Sequence, residues 1–397
     1  MYAVKVMNIS ISQAKQLTQT HGSPLYIYSY DELKNRALCL KGLGLPFGLT
    51  VRYAVKANPH PDLIRLFNTH SLHFDVSSSY EADMLLGLGI DGAKISLSSQ
   101  QPAHNLMSLL ARNVHFVATS LHQLQLFTNT ANRGAKVALR INTGTGSGHN
   151  NRTATAGPSA SFGIWHEYLG QALAMATSAG IVVDRLHTHV GSGADFGTWR
   201  KAIDASLKIA AQMPDVTILD LGGGYKVKRA EGEHEADMSE IASMFSERLE
   251  HFYSRTGRKL HLEIEPGTWL VAHAGILLTE IIDIVDTGTK GYTFLRTNTG
   301  MNDFLRPTLY GAHHAIRILN DNKEQADYVV VGHNCESGDI LTVAAGNAEI
   351  IQPRRLPKAN IGDLLVIEDV GAYPASLRAI GYNAFPVAKE VLIRTGS

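Results

Sequence analysis

Lys56 closes the apolar stretch Arg52-Tyr53-Ala54-Val55-Lys56-Ala57-Asn58-Pro59. An amine at the end of a buried strand either snorkels out to water or loses enough solvation that its pKa drops and it forms a Schiff base with a carbonyl. The residues further along favour the second reading. Gly222-Gly223-Gly224 follows the strand-like Ile218-Leu219-Asp220-Leu221, and Gly191-Ser192-Gly193 offers a second set of open amides with a hydroxyl. Such nests suit a phosphate, particularly beside a helix N-terminus. A tight turn would explain either cluster alone, but two on neighbouring strands are a more specific signal. Glu265, just before Pro266-Gly267, could keep a ring nitrogen protonated through a charge-assisted hydrogen bond. Glu263 lies on the same strand face and fits a strand-end salt bridge. His187 and His189 are two apart, so in a strand both would face one side. A metal pair would need further ligands. The preferred reading has His189 stacked on an aromatic cofactor and His187 in packing or hydrogen bonding, with no metal.

A Schiff-base lysine, phosphate nests, a stacking imidazole and a carboxylate for a ring nitrogen together point to pyridoxal 5′-phosphate. Its protonated ring accepts the electrons of a carbanion formed at Cα, while the protein decides which bond breaks.

These residues need elements that bring them to one place. Strand-like runs begin at Arg52, His73, Lys94, His115 and Lys136, each 21 residues after the last, and three more begin at Arg185, Thr217 and His261. Helix-like segments fall between them at 62–69, 80–88, 102–110 and 121–130. Short apolar strands alternating with helices imply a parallel sheet, and eight such units imply a closed (β/α)₈ barrel of the TIM type. Lys56, Asp75, Arg140, His189, Gly222 to Gly224 and Glu265 all fall at or just past strand C-termini, the rim where this fold builds its sites. The stretch from Asn142 to Gly157 is a long insertion at that rim, where such loops are more often functional than idle. Ahead of the barrel, a helix over 11–21, a strand over 25–28 and a helix capped by Asp31 and running to Leu43 are expected. After Ala272 the rhythm changes to strands at 276–285, 328–331, 341–344, 364–368 and 390–394. The expected organisation is a barrel over 29–272 and a second, mostly antiparallel β-sandwich or barrel domain from 1–28 plus 273–397.

At 397 residues the chain has room for both. Lys+Arg and Asp+Glu are each 36, which leaves no basic footprint for nucleic acid or an anionic membrane. Two cysteines, Cys39 and Cys335, with no paired motif, fit a reducing compartment. The first ten residues are too short and weakly apolar for a signal peptide, and no apolar run approaches the roughly 20 residues of a membrane span. A cytoplasmic protein is expected.

At these residues the chain resembles the alanine-racemase-like (fold type III) pyridoxal phosphate enzymes, and within them the diaminopimelate decarboxylases. The resemblance is carried by YAVKANP at Lys56, HTHVGSG at His189, LDLGGG at Gly222, EIEPG at Glu265, MNDFLRPTLY at Arg306, CESGD at Cys335 and GAY at Tyr373. It implies that Lys56 attaches the cofactor, His189 stacks on its ring and Glu265 meets its nitrogen, with Asp75 and Arg140 nearby. Ser192, Gly222, Gly223, Gly224 and Tyr373 would hold the phosphate, with Gly267 also at the cofactor. Arg306 and Tyr310 would meet the distal end of an amino-acid substrate. Cys335 and Glu336 would come from the partner in a homodimer, Cys335 near the acid that protonates Cα and Glu336 on the distal ammonium. The implied reaction is loss of CO₂ from Cα, converting meso-diaminopimelate to L-lysine. One departure stands out. The family reads Glu-Pro-Gly-Arg where this chain has Glu265-Pro266-Gly267-Thr268, so a bidentate contact to a distal carboxylate is missing. Arg152, in the insertion, is the candidate replacement cation. The alternative is a sister decarboxylase of another basic amino acid, a carboxylated polyamine or a siderophore precursor.

Overall fold

A computed structural model describes residues 7–144, 156–229 and 233–394; Arg152 and most of the insertion lie outside them. The chain divides into two compact units. The first comprises Lys34–Val227 and His234–Trp269, and the second the described parts of Tyr2–Leu33, Lys228–Glu233 and Leu270–Ser397.

In the first unit eight parallel strands close on themselves. They are β1 (Leu49–Ala54), β2 (His73–Val76), β3 (Ile95–Leu97), β4 (His115–Ala118), β5 (Lys136–Asn142), β6 (Val182–His187), β7 (Ile218–Asp220) and β8 (His261–Ile264). Each pairs with the next, and β8 returns to β1 with Leu262 opposite Leu49. Most strand positions are buried because helices cover the outside while side chains fill the inside. The helices start where the sequence supplies caps: the side chains of Ser78, Ser120, Asp195 and Asp237 each accept a first-turn amide. The helix Pro61–Thr69 shows the apolar stripe that holds them on the barrel, burying Leu63, Ile64, Leu66 and Phe67.

Several boundaries differ from the sequence reading, and two matter. β1 stops at Ala54, so Lys56 sits in a 3₁₀ turn, Val55–Ala57, ahead of Pro59. β6 stops at His187, so His189 belongs to the following loop and no longer shares a strand face with His187. The helix expected from Pro102 starts only at Leu106, because Asn105 before it is non-helical. The early helix spans Tyr30–Lys41 with Asp31 inside its first turn; the Ser29 hydroxyl accepts the Glu32 amide at 3.3 Å instead.

The second unit is a mostly antiparallel sheet ordered Ile316–Leu319, Leu364–Ile367, Gly275–Asp286, Thr293–Thr297, Gln325–Val331, Arg354–Pro357. The early strand Leu25–Ser29 joins it, antiparallel to Gly275–Asp286 and parallel to Lys389–Ile393. Leu25, Ile27, Ile276, Leu278, Leu364 and Val366 form part of its core. The strands at 293–297, 316–319, 347–351 and 354–357 were not expected. Two of them, Ile316–Leu319 and Arg354–Pro357, run only four residues, too short for alternation to register. Among the described residues no helix is long and apolar enough to cross a membrane.

Candidate active site

The barrel brings its rim residues together in charge-matched fashion. The Lys56 side chain is 42% exposed and its Nζ lies 3.7 Å from Asp75 Oδ2. The amine is thus presented at the mouth rather than desolvated in a strand, because the turn after β1 lifts it out. Asp75, fully buried at the third position of β2, is fixed from the other side by the Ser98 hydroxyl at 2.6 Å. Arg140, near the end of β5, is buried and lies 5.1 Å over the Phe162 ring. Burial lowers its pKa, while Glu265, Asp75 and Asp220 pull it back up.

Glu265 follows β8 and is 5% exposed. Its Oε2 lies 3.2 Å from His187 Nε2, and among the described residues Oε1 has no hydrogen-bond partner. Burial, then the Asp75 charge, push its pKa up, against the pull of Lys56 and Arg140. A buried carboxyl oxygen without a donor is costly, and a ring N–H is a group that would satisfy it. Burial, then Arg140 and Lys56, hold the His189 pKa well below its ordinary value. Its ring is therefore neutral, and since Nδ1 accepts the Gly223 amide at 3.1 Å, the proton sits on Nε2.

The two glycine loops form one cradle. The amides of Gly193 and Ala194 both donate to the Gly224 carbonyl at 3.1 Å. Gly222 has φ +69° and a Cβ there would meet His189 Nδ1 at 2.5 Å; Gly224 has φ +115° and a Cβ there would run into the Gly191 carbonyl. Only glycine fits at either position. Ser192 is exposed on this loop. The helix after it, Phe196–Ala210, is capped by Asp195, whose carboxylate takes the Thr198 amide at 2.7 Å. The Gly222 and Gly223 amides are engaged as well, donating to Asp220 Oδ1 at 2.9 Å and His189 Nδ1 at 3.1 Å. Gly267 packs against Ala57 and Ala54, and Thr268 opens the short helix Thr268–Val271.

One layer down the barrel, Glu263 receives Arg52 through two bonds of 2.9 Å and lies 3.3 Å from Arg185. It is an ion-pair residue, the structural role its strand position suggested.

The other expected residues lie on the second unit. Arg306 begins the helix Arg306–Tyr310. Burial, then the neighbouring Arg229, press its pKa down to about 9. Among the described residues Arg306 meets no carboxylate; its contact is His314 Nε2 at 3.5 Å. A partly buried guanidinium beside a second one is suited to an anion. Tyr373 has φ +78°. Cys335 and Glu336 are exposed; the Cys335 amide donates to Asn383 Oδ1 at 2.8 Å and the Tyr382 hydroxyl donates to Glu336 at 3.1 Å.

Sequence reasoning passed over Asp220 and Ser98. Asp220 hides inside the apolar run before the glycines, yet it is paired in register with His187 on one side and Glu263 on the other, so strand alternation points it inward. Ser98 lies just past β3 and carries no motif of its own.

A parallel barrel offering an amine, an amide cradle and a buried carboxyl at one rim, in a chain with an antiparallel β unit, defines an alanine-racemase-like pyridoxal phosphate enzyme. The family described as "Pyridoxal-dependent decarboxylase, pyridoxal binding domain" matches residues 37–272. Similar curated proteins include the diaminopimelate decarboxylase of Streptomyces coelicolor, 30% identical and covering 94% of this chain and 85% of that one. The enzyme of the same name from Escherichia coli K12 is 28% identical over 96% of this chain and 91% of its own. Among solved structures, Helicobacter pylori diaminopimelate decarboxylase complexed with L-lysine superposes with a TM-score of 0.86 at 27% identity, covering 96% and 93% of the two chains. The chain belongs to the pyridoxal-dependent decarboxylase family: it is a carboxy-lyase whose cofactor is pyridoxal 5′-phosphate. The resemblance drawn from YAVKANP, LDLGGG and EIEPG is borne out.

Proposed function

We propose that the chain removes CO₂ from Cα of a diamino acid, with meso-diaminopimelate converted to L-lysine as the leading reading. The observation that carries it is Glu265, a buried carboxyl with one oxygen unpartnered among the described residues, at the same rim as Lys56 and the glycine cradle. When bound, pyridoxal phosphate supplies a carbonyl carbon for the substrate amine and a protonated ring that takes up the electron pair left by CO₂. Lys56 would attach the cofactor, and Asp75, at 3.7 Å, holds that amine in place. Glu265 would keep the proton on the ring nitrogen, with His189 against the ring. The open glycine loop Gly222, Gly223 and Gly224, with Ser192 and Tyr373, would hold the phosphate, and Gly267 would lie beside the cofactor. Arg306 and Tyr310 would bind the distal carboxylate. The absence of a carboxylate partner for Arg306 among the described residues supports a substrate with a second acid group.

Cys335 and Glu336 would serve a site completed by a second copy of the chain, Cys335 returning a proton to Cα and Glu336 taking the distal ammonium. Two unpaired cysteines support a cytoplasmic location. A second reading is favoured by Thr268, which offers no guanidinium where the family has one: a basic amino acid such as ornithine or lysine, or a carboxylated polyamine. Incubating protein and pyridoxal phosphate with each candidate and measuring CO₂ separates the two. Release from meso-diaminopimelate above all others is expected; turnover of ornithine or a carboxylated polyamine with diaminopimelate untouched refutes the leading assignment.

A further inference from the structure

Three side chains from adjacent strands meet beneath the barrel mouth: His187 ending β6, Asp220 ending β7 and Glu265 just past β8. One nitrogen or oxygen from each lies within 4.8 Å of the other two. They are 1%, 0% and 5% exposed. The Gly222 amide donates to Asp220 Oδ1 at 2.9 Å, and His187 Nε2 meets Glu265 Oε2 at 3.2 Å. Among the described residues Asp220 Oδ2, Glu265 Oε1 and His187 Nδ1 have no hydrogen-bond partner. Two ionised carboxylates with oxygens within 4.8 Å of each other repel strongly when buried, so the pair retains a proton.

We propose that Asp220 is kept as a neutral carboxylic acid that donates to Glu265, and that His187, donating from Nε2, completes a two-point grip leaving Glu265 as the single anion that faces the ring nitrogen. The last part rests on the reading of Glu265 given above; the grip does not. Both are positioning residues, acting on the cofactor through Glu265. Burial, then the Glu265 charge, raise the Asp220 pKa well above its ordinary value. Burial takes His187 down to about 4, so it is neutral at pH 7 and has one N–H to give. Its contact with Glu265 puts that proton on Nε2. The charged groups around the pair are Asp75, Glu263, Lys56 and Arg140. Glu263 is offset by Arg52 and Arg185. Asp75 is offset by Lys56, 3.7 Å away. Neither carboxylate therefore supplies the missing proton.

Infrared spectroscopy of the full chain, stripped of and reloaded with pyridoxal phosphate, tests the grip directly. The expected result is a protonated-carboxyl C=O band at pH 7 in both forms, absent in Asp220→Asn. That variant keeps the acceptor for the Gly222 amide and a donor toward Glu265, so it should hold the cofactor about tenfold more tightly than Asp220→Ala, the equivalent of one charge-assisted hydrogen bond. In Asp220→Asn, Glu265 should ionise about one pH unit lower or more. A wild type with no such band, a band that survives Asp220→Asn, or a stoichiometric divalent ion lost with Asp220 overturns the proposal. If Glu265→Gln leaves cofactor binding and colour unchanged while the band still depends on Asp220, the ring-nitrogen reading fails and the grip stands.

Discussion

Glu263→Gln should cost the barrel about 3–5 kcal/mol while leaving the rim intact. Glu263, Arg52 and Arg185 are 3%, 2% and 4% exposed, with bonds of 2.9, 2.9 and 3.3 Å between them. Glutamine matches the shape but turns an NH₂ toward guanidinium donors, leaving two buried cations without an anion. A second route gives the same size. Burial alone would raise the Glu263 pKa, but Arg52 and Arg185 outweigh it and hold the group at about 2, against 4.5 unperturbed. At about 1.4 kcal/mol per unit, that depression is worth about 3 kcal/mol. Because the folded pKa is the lower one, this stability is present above pH 4.5 and is lost as pH falls toward 2. For a unit of this size the expected drop in melting temperature is about 6–20 °C near pH 7. Circular dichroism melts from pH 7 down to pH 3 measure it, with the two proteins converging as the wild type protonates. A variant that melts with the wild type at pH 7, or a gap that widens in acid, would refute the ion-pair account.

Other consequences can be measured at the rim. Gly224→Ala places a Cβ against the Gly191 carbonyl at φ +115°. Backbone strain of about 1–3 kcal/mol should loosen pyridoxal phosphate by roughly 5- to 150-fold in absorbance titrations; unchanged retention would remove the cradle from the phosphate site. Arg306→Lys loses the bidentate fork, so KM for diaminopimelate should rise about 10- to 150-fold. A monocarboxylic diamino acid should change little, and an equal effect on both would detach Arg306 from the distal carboxylate. Mixing inactive Lys56→Ala with inactive Cys335→Ala protein should restore activity that neither has alone; no recovery after subunit exchange would refute a shared site.

Much of this was legible in the chain because the barrel repeats. A strand every 21 residues from Arg52 to Lys136 placed Asp75 and Arg140 at the rim before any coordinates, and EIEPG separated Glu265 from Glu263 by a single strand period. What escaped depended on where strands end. Lys56 appeared to close a strand, and only the turn Val55–Ala57 reveals that its amine stands in the open mouth. His187 and His189 appeared to share a face until β6 ended between them. Asp220 was masked by its apolar neighbours, since one inward carboxylate in Ile218-Leu219-Asp220-Leu221 has no spacing signature. Its meaning comes from the strands on either side, a relation no single segment contains.

The central claim is that Lys56 carries the cofactor. Reducing the loaded protein with borohydride and mapping the modified peptide by mass spectrometry measures this most directly. The account predicts one pyridoxyl group per chain, on Lys56, and none in Lys56→Ala. A label on another lysine, or a loaded protein that takes up no label, would contradict it.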